Sequence, residues 1–513
     1  MMPEFRHDGF PDQVKFRYRR LRLNILFLNP PFKGRFSRSS RSPAVTMGGT
    51  LYYPIWLAYA TGVAEQAGHR CCLIDSPADD LDLDAVMVRL NGFVPDLIVL
   101  DTSTPSIYND VAVADRMKSE FPEAFTMIVG THPSALPEET LALSGTIDAA
   151  AVGEYDYTVR DVAATLEAGN HLTQVPGIVV REGRDFVRTP ARPLIEELDD
   201  IPFVTQTYYK YLNVRNYFFA AANYPMVMIM TGRGCPFRCF FCVYPQVFHS
   251  RRYRTRSAEN VVDEFAYVVD RFPEVREIGI EDDCFSGRQS HVHDVCELII
   301  RRGIRIKWYC NVRGDLDFDT LRLMKNAGCR LVTVGFESGV QSVLDSMHKG
   351  ETVDRYYRFV RDAKRAGILV HGCIMVGNPG DTRETLAEGY EFAARIDCDS
   401  MQFYPLYVYP GTEAYRWARD AGYLRTEDFS QWVTEQGLHN CVLETPDLSG
   451  KEMVSLCSHY LARYHLRPRY IAMKLMQAIL HPSEGYRTLK AARGFLGKLL
   501  YEQLPGKGRR ARR

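Results

Sequence analysis

No stretch of this 513-residue chain approaches the roughly 18 to 20 consecutive apolar residues that span a bilayer, and the opening MMPEFRHDGF lacks the apolar segment of a secretory signal. A cytoplasmic protein without a membrane span is expected. Net charge is missing too: Lys+Arg and Asp+Glu both number 63, so no overall field draws the chain to nucleic acid or an acidic membrane. The exception is the basic run Lys507 to Arg513, which reads as a solvated tail because nothing aromatic is interleaved. Hydrophobic residues at 46% and charged residues at 25% exclude a disordered, collagen-like or low-complexity protein. The 13 cysteines are odd in number and cannot all pair, and in a cytosolic chain thiols stay reduced for burial, metal binding or catalysis. Cys71, Cys72, Cys296, Cys310, Cys373 and Cys398 sit in apolar or amphipathic runs, where burial is the default. The length exceeds one compact core, so two or three domains are expected.

From Leu23 short apolar runs alternate with amphipathic segments, the βα rhythm of a parallel sheet covered on both faces. The runs are 24–31, 69–75, 96–103, 125–133 and 147–154, with helices predicted near 55–67, 84–91, 109–120 and 137–143. They predict an open doubly wound α/β domain, whose ligand lies beyond the carboxyl ends of the strands. Those ends carry Thr102, Ser103, Gly130, Thr131, Gly153 and Glu154. Small and hydroxyl residues there suit a large flat or phosphate-bearing ligand, and equally suit ordinary turns. No strand leads into G-x-G-x-x-G, which demotes a dinucleotide enzyme. His132, in a turn at the same rim, could reach a bound cofactor or make a local hydrogen bond. GIVVREGRDFVR (177–188) reads as a hairpin, and a Pro- and acid-containing linker, 189–202, follows.

After the apolar run MVMIM (226–230) comes TGRGCPFRCFFCVYPQ, with Cys235, Cys239 and Cys242 in C-x3-C-x2-C spacing. Three close thiolates on a strand-end loop can hold three irons of a cubane cluster and leave the fourth open. Gly232 and Gly234 let the backbone wrap, while Arg233 and Arg238 can offset the cluster's negative charge. A structural zinc site would need a fourth ligand, for which His249 is the nearest candidate, and the second C-x2-C or H-x3-5-H pair is absent. The two-cluster ferredoxin run has another spacing. Buried inert thiols fit poorly among Pro, Arg and Gly.

The βα rhythm then returns, with runs at 277–283, 305–311, 330–338, 369–377 and 399–408, and helices predicted at 258–271, 316–326, 355–366 and 383–395. With 226–230 this makes six βα units, too few for an eight-stranded barrel, so an open partial barrel is expected. Its strand ends carry Asp282 and Asp283, Asn311 and Arg313, Glu337 and Ser338, Gly377, Asn378 and Pro379, and Tyr404 and Tyr407. A loop-start or cap role is the plain alternative for Asp282, Asp283 and Ser338. His291 and His293, two apart on a helix, point to different faces and do not suggest a shared metal. From Glu435 the pattern is helical, read as a packing layer or as a lid over the barrel mouth.

CPFRCFFC after a first strand resembles the signature of radical S-adenosylmethionine (SAM) enzymes, and the preceding βα domain resembles that of their cobalamin-binding subclass. GTHPSALPEE (130–139), GEYDYT (153–158), RYRTRSAENVVDE (252–264), GFESG (335–339), GNPGDTRET (377–385) and YPGT (409–412) are similar to phrases recurring there. The resemblance covers about 23–424. It implies an N-terminal extension over 1–22, a doubly wound Rossmann-like cobalamin-binding domain over 23–195, a partial (β/α)6 barrel over 222–434 and a helical region with a basic tail over 435–513. It also implies a [4Fe-4S] cluster on Cys235, Cys239 and Cys242, whose open iron binds SAM. Phe241 would lie against the adenine and Arg313 near the SAM carboxylate. Asp282, Asp283, Glu337, Ser338, Gly377 and Pro379 complete the expected SAM rim, with Glu337 accepting from the ribose and Gly377 and Pro379 opening the backbone to the nucleoside. Asp-x-His-x-x-Gly, which supplies an axial imidazole in some cobalamin proteins, is absent, so the lower corrin face is expected to have no protein histidine. Thr102, Ser103, Gly130, Thr131, Gly153 and Glu154 are the corrin candidates.

The expected chemistry is reductive cleavage of SAM to a 5'-deoxyadenosyl radical and methylation of an unactivated carbon of a small-molecule substrate from methylcobalamin. The electron would come from a donor such as flavodoxin or ferredoxin. A radical cyclisation or rearrangement, with cobalamin in a redox or structural part, is the alternative within the class. A cobalamin- or redox-sensing binding protein is the alternative outside it, disfavoured by six polar strand ends. The substrate is not readable from the sequence.

Overall fold

The computed structural model describes residues 22–480 except 47, with 485, 488 and 489. Residues 1–21 of the expected N-terminal extension and the basic run Lys507–Arg513 lie outside the described residues. The first-half runs form β1 (Asn24–Asn29), β2 (Arg70–Asp75), β3 (Leu97–Thr102), β4 (Phe125–Gly130) and β5 (Ala149–Ala151), and the hairpin forms β6 (Ile178–Glu182) and β7 (Asp185–Arg188). The sheet order is β2-β1-β3-β4-β5-β6-β7. β1 to β5 are parallel, and the hairpin extends one edge antiparallel. β3 and β4 are buried at every position, which explains why they read as unbroken apolar runs rather than alternations.

The second half builds β8 (Met226–Ile229), β9 (Gly232–Arg233), β10 (Arg254–Thr255), β11 (Glu277–Ile280), β12 (Lys307–Val312), β13 (Cys329–Glu337), β14 (Leu369–Val376) and β15 (Ser400–Pro405). Six of these form one parallel sheet in the order β15-β14-β13-β12-β11-β8, while β9 and β10 make a separate two-stranded clamp. β8 and β15 are the two edges and do not pair, so the barrel is open as six units require. Helices cross between the strands. Val353–Ala366, for example, starts on the Thr352 side chain and ends at Gly367 in the left-handed region.

Two or three domains are expected from length, yet one apolar cluster runs from Leu23 to Tyr470 through both sheets. A second cluster lines the other face of the first sheet. The helix Ile55–Gln66 explains the continuity. Every residue from Ile55 to Ala64 is buried, the pattern of a helix packed on all sides. The stretch 189–202 is no free tether, since Ile195, Leu198 and Ile201 are buried. Tyr53 stacks between Tyr208 and Tyr217 at 4.3 and 3.7 Å and donates its hydroxyl to the Met226 carbonyl at 2.8 Å.

The C-terminal region is helical as expected, but from a later start. Helices begin only at Gly450, as Gly450–His465 and Pro468–Leu480. Before them, bridges join Val433 to His439 and Leu424 to Leu443, turning at Gly437 with φ of 75°. That left-handed glycine, with Pro446 nearby, breaks the helical periodicity.

Candidate functional site

The carboxyl ends of the two sheets face each other. Arg41, in the loop after β1, donates to the Asp282 carbonyl at 2.6 Å and pairs with Glu281 at 3.4 Å, both just past β11. Tyr244, beyond the cysteine loop, donates to the Ser39 carbonyl at 2.8 Å. Buried charges close the same junction. Arg233 in β9 pairs with Asp156 at 2.7 Å and Glu154 at 3.7 Å, and Arg254 in β10 pairs with Glu154. None of these four side chains is more than 4% exposed, so their charges are matched inside the protein.

The cysteine loop is held by its backbone. Gly234 has φ of 86°, and a Cβ there would come within 2.3 Å of the Arg252 carbonyl oxygen. Only glycine lets the loop cross the returning segment. Gly234→Ala is therefore expected to displace Cys235 and lower iron retention several-fold, measured as iron per folded chain. The Gly234 amide donates to Asp283 at 3.1 Å, and Asp283 also meets His249 Nδ1 at 2.9 Å. Burial works to raise the Asp283 carboxyl, but His249 and Arg41 outweigh it and hold it below the usual carboxylate range. Gln246 sits in a π-helical turn, Tyr244–Phe248. It donates to the Phe240 and Cys242 carbonyls, each at 2.9 Å, and accepts from the Glu413 amide at 2.9 Å. Arg251 adds a donor to the Phe237 carbonyl at 2.8 Å.

Burial and the neighbouring thiols push Cys242 up to about 12 and raise Cys235 as well. Thiols raised in this way need a cationic partner to ionise, which iron supplies. Among the described residues no three His, Cys, Asp or Glu side chains close on one point as a single ion requires. The expected zinc alternative also loses His249, whose Nδ1 is bound to Asp283. Three thiols from one loop, with no fourth ligand from His249, fit a cube with one open corner better than a structural tetrahedral ion.

Around the loop lies a charged rim. Arg313 Nη1 is 4.0 Å from Cys239 Sγ, and its guanidinium stacks 3.8 Å from the Phe237 ring and pairs with Glu351 at 2.9 Å. Glu337 takes φ of 65° at a register shift in β13, an uncommon backbone for a non-glycine residue. Gly335 makes room for the carboxylate, which a Cβ would meet at 2.1 Å. Lys349 lies 3.2 Å from Glu337, and the Tyr404 hydroxyl donates to it at 3.2 Å. Burial disfavours charge on Lys349, but Glu337 overcomes this and keeps it protonated. Glu281 accepts from the Tyr309 hydroxyl at 2.9 Å and from the Asn311 side-chain amide at 3.1 Å.

Several expected ligands are engaged otherwise. Both Asp282 oxygens accept from Thr231, with Tyr253 adding a third bond at 2.9 Å, so Asp282 is a strand-end latch. Both Glu154 oxygens accept from the Arg254 guanidinium, and Oε2 also lies 3.7 Å from Arg233. Gly377, with φ of 99°, admits Met453 and Leu443 of the C-terminal segment rather than opening to a nucleoside. Ser338 caps Val340 through its hydroxyl at 3.1 Å. Phe241 and Pro379 are half-buried, and Pro379 accepts from Ser346 at 2.7 Å. At the first sheet, Thr102 donates to the Val129 carbonyl at 2.7 Å, Ser103 meets Ser106 at 2.8 Å, and the Gly153 amide donates to Ser134 at 3.0 Å. Gly130, with φ of 119°, packs on Thr102, and half-buried Thr131 starts a short helix. His132 is buried, bonded to Thr104 at 3.1 Å and packed on Phe429. Desolvation lowers it to about 3, so it stays neutral. His291 and His293 each bond a different threonine, Thr231 and Thr320, at 3.0 Å.

Asp101, at the end of β3, has an Oδ2 with no hydrogen-bond partner. Burial pushes it up to about 7 from 3.8, against the opposing charge of Arg38. The folded state then binds more protons than the unfolded chain between pH 4 and 7. Stability from this group therefore falls as pH rises through that window. Asp101→Asn should gain a few kcal/mol over the parent at pH 8 and little at pH 4, measured by urea unfolding.

Comparison with known proteins matches this geometry. Residues 229–393 match the model of the radical SAM superfamily, and residues 42–163 that of the B12 binding domain. The chain is 27% identical over 475 residues to an uncharacterized methyltransferase, PH0819, of Pyrococcus horikoshii, covering 92% of this chain and 98% of that protein. It is also 27% identical to the anaerobic magnesium-protoporphyrin IX monomethyl ester cyclase of Cereibacter sphaeroides, over 78% of this chain and 64% of the relative. In fold it is similar to the radical SAM methyltransferase TsrM from Kitasatospora setae, solved with cobalamin and a [4Fe-4S] cluster. The TM-score is 0.67 at 18% identity, covering 88% of this chain and 90% of that one. Among the described residues no helix is long and apolar enough to cross a membrane. The chain thus carries a B12 binding domain followed by a radical SAM domain, and over nearly its whole length it is similar to a methyltransferase.

Proposed function

We propose that this enzyme methylates an unactivated carbon of a small molecule bound where the two sheet ends meet. The observation that carries the reading is the junction itself: the loop after β1 reaches the polar rim of the barrel through Arg41, Glu281 and Asp282. When bound, the [4Fe-4S] cluster supplies the electron that cleaves SAM to a 5'-deoxyadenosyl radical, and methylcobalamin supplies the methyl group. Cys235, Cys239 and Cys242 would hold the cluster. Phe241, Arg313, Glu337 and Ser338 would hold SAM, with Lys349 and Tyr404 fixing the Glu337 carboxylate. The ends of β3, β4 and β5, at Thr102, Ser103, Gly130, Thr131 and Gly153, would hold the corrin. The boundaries 23–195 and 222–434 follow the two sheets, with the junction sealed by Arg233, Arg254, Glu154 and Asp156. Buried ion pairs and the continuous core would keep water from the reacting carbon. A cytoplasmic flavodoxin- or ferredoxin-type donor would supply the electron.

The cyclase relative favours a second reading, radical cyclisation. Reduced, cluster-loaded enzyme incubated with SAM should form 5'-deoxyadenosine, and its product should gain one methyl in place of one hydrogen. Product of altered unsaturation without a methyl gain would favour cyclisation, and no 5'-deoxyadenosine with an intact cluster would overturn both.

A further inference from the structure

The helix Pro468–Leu480 packs Tyr470 and Met473 on the core, yet it is apolar on its outer face as well. Its inner face holds Tyr470 and Lys474, together with Gln477, which donates to Asp399 Oδ1 at 2.9 Å and accepts from Lys474 at 2.9 Å. The Tyr470 hydroxyl donates to the Asp399 carbonyl at 3.1 Å. The outer face shows Ile471, Leu475, Met476, Ile479 and Leu480, from 44% to 80% exposed. Positions 471, 475 and 479, flanked by 476 and 480, fall on one side of a helix. A lone exposed leucine is ordinary, but five apolar side chains on one face form a surface. Of the described residues Gly485 lies beside this helix at Ala478, and the five apolar side chains stay exposed.

Charge indicates what covers this face. The whole chain is neutral, yet the 33 residues after Leu480 carry nine Lys or Arg against two Glu. An apolar helix face continuous in sequence with a strongly cationic segment is the composition that binds an anionic bilayer surface. A second copy fits worse, because it would set one cationic segment against another. We propose that the outer face of Pro468–Leu480 docks this enzyme on a membrane rich in anionic lipid. The helix is tied to Asp399, just before β15 begins, the end of the strand opposite the cysteine rim. Docking therefore leaves the barrel mouth free, and the proposal does not rest on the methyl-transfer reading.

The test is co-sedimentation of the full chain with phosphatidylglycerol–phosphatidylcholine vesicles and with phosphatidylcholine vesicles. Binding to the anionic vesicles is expected, weakening as salt is raised. The variant Leu475→Gln/Met476→Gln/Ile479→Gln should bind more than about tenfold less tightly while forming 5'-deoxyadenosine at the parent rate. Failure to bind anionic vesicles would overturn the proposal. So would equal binding by parent and variant, or a parent oligomer that the variant converts to monomer. Strong hydrogen-exchange protection of 471–480 in the free chain, lost on removal of 491–513, would assign the face to the chain's own C-terminal segment instead and would also overturn it.

Discussion

Replacing Cys235, Cys239 or Cys242 by alanine is expected to abolish 5'-deoxyadenosine formation, a drop to the uncatalysed background of several orders of magnitude. The fold should survive. All three residues lie on a loop whose backbone carbonyls accept from the Gln246 and Arg251 side chains and whose Phe240 amide donates to the Met347 carbonyl, and all three are only partly buried. Circular dichroism and urea midpoint should change little while iron, sulfide and activity disappear together. Loss of one thiolate leaves a cube corner without its ligand and a charge balance with Arg313 and Lys349 disturbed. Retention of full activity in any of the three variants would show that the loop does not hold the reacting cluster.

The second large effect is on stability. Glu154→Ala leaves Arg254 and Arg233 short of a partner, at sites where neither guanidinium is more than 4% exposed. Removing one member of a buried charge set costs about 3 to 5 kcal/mol, because the remaining charge is uncompensated. The urea midpoint should fall accordingly. The loss should exceed that of Arg188→Ala, whose pair with Glu138 is half exposed and worth about 1 kcal/mol or less. A double change, Glu154→Ala with Arg254→Met, should recover part of the loss, since apolar replacement of a whole pair is tolerated better than half a pair. Equal effects at the buried and exposed pairs would mean that the junction is wet.

The elements that were legible from residues alone are those set by local pattern. β3 and β4 read as unbroken apolar runs because both faces are covered. The cysteine loop was legible because its three side chains lie within eight residues. What stayed hidden is set by contacts across the chain. Arg41 meets Glu281 over 240 residues, and Lys349, between two helices, meets Glu337 only because Gly335 and a left-handed Glu337 turn the carboxylate inward. The same distance effect hid the protein partners of Asp282, Glu154 and Gly377. A polar or small residue at a strand end looks alike whether it faces a ligand or another segment, and only the fold shows Thr231 with Tyr253, Arg254, and Met453 as their partners. GEYDYT and RYRTRS gain a physical role in the same way. Glu154 and Asp156 of the first pair with Arg254 and Arg233, so one phrase and the clamp strand of the other seal the domain junction. The helical expectation from Glu435 holds over 450–480 and departs only over 435–449, because periodicity is blind to a left-handed glycine such as Gly437.

The most direct test of the account is the metal content of anaerobically purified or reconstituted protein, with an electron paramagnetic resonance spectrum before and after SAM. The account predicts about four irons and four sulfides per chain, and a reduced-cluster signal that shifts when SAM is added because an open iron takes up a new ligand. Zinc at the loop, absence of sulfide, or a cluster signal indifferent to SAM would contradict it.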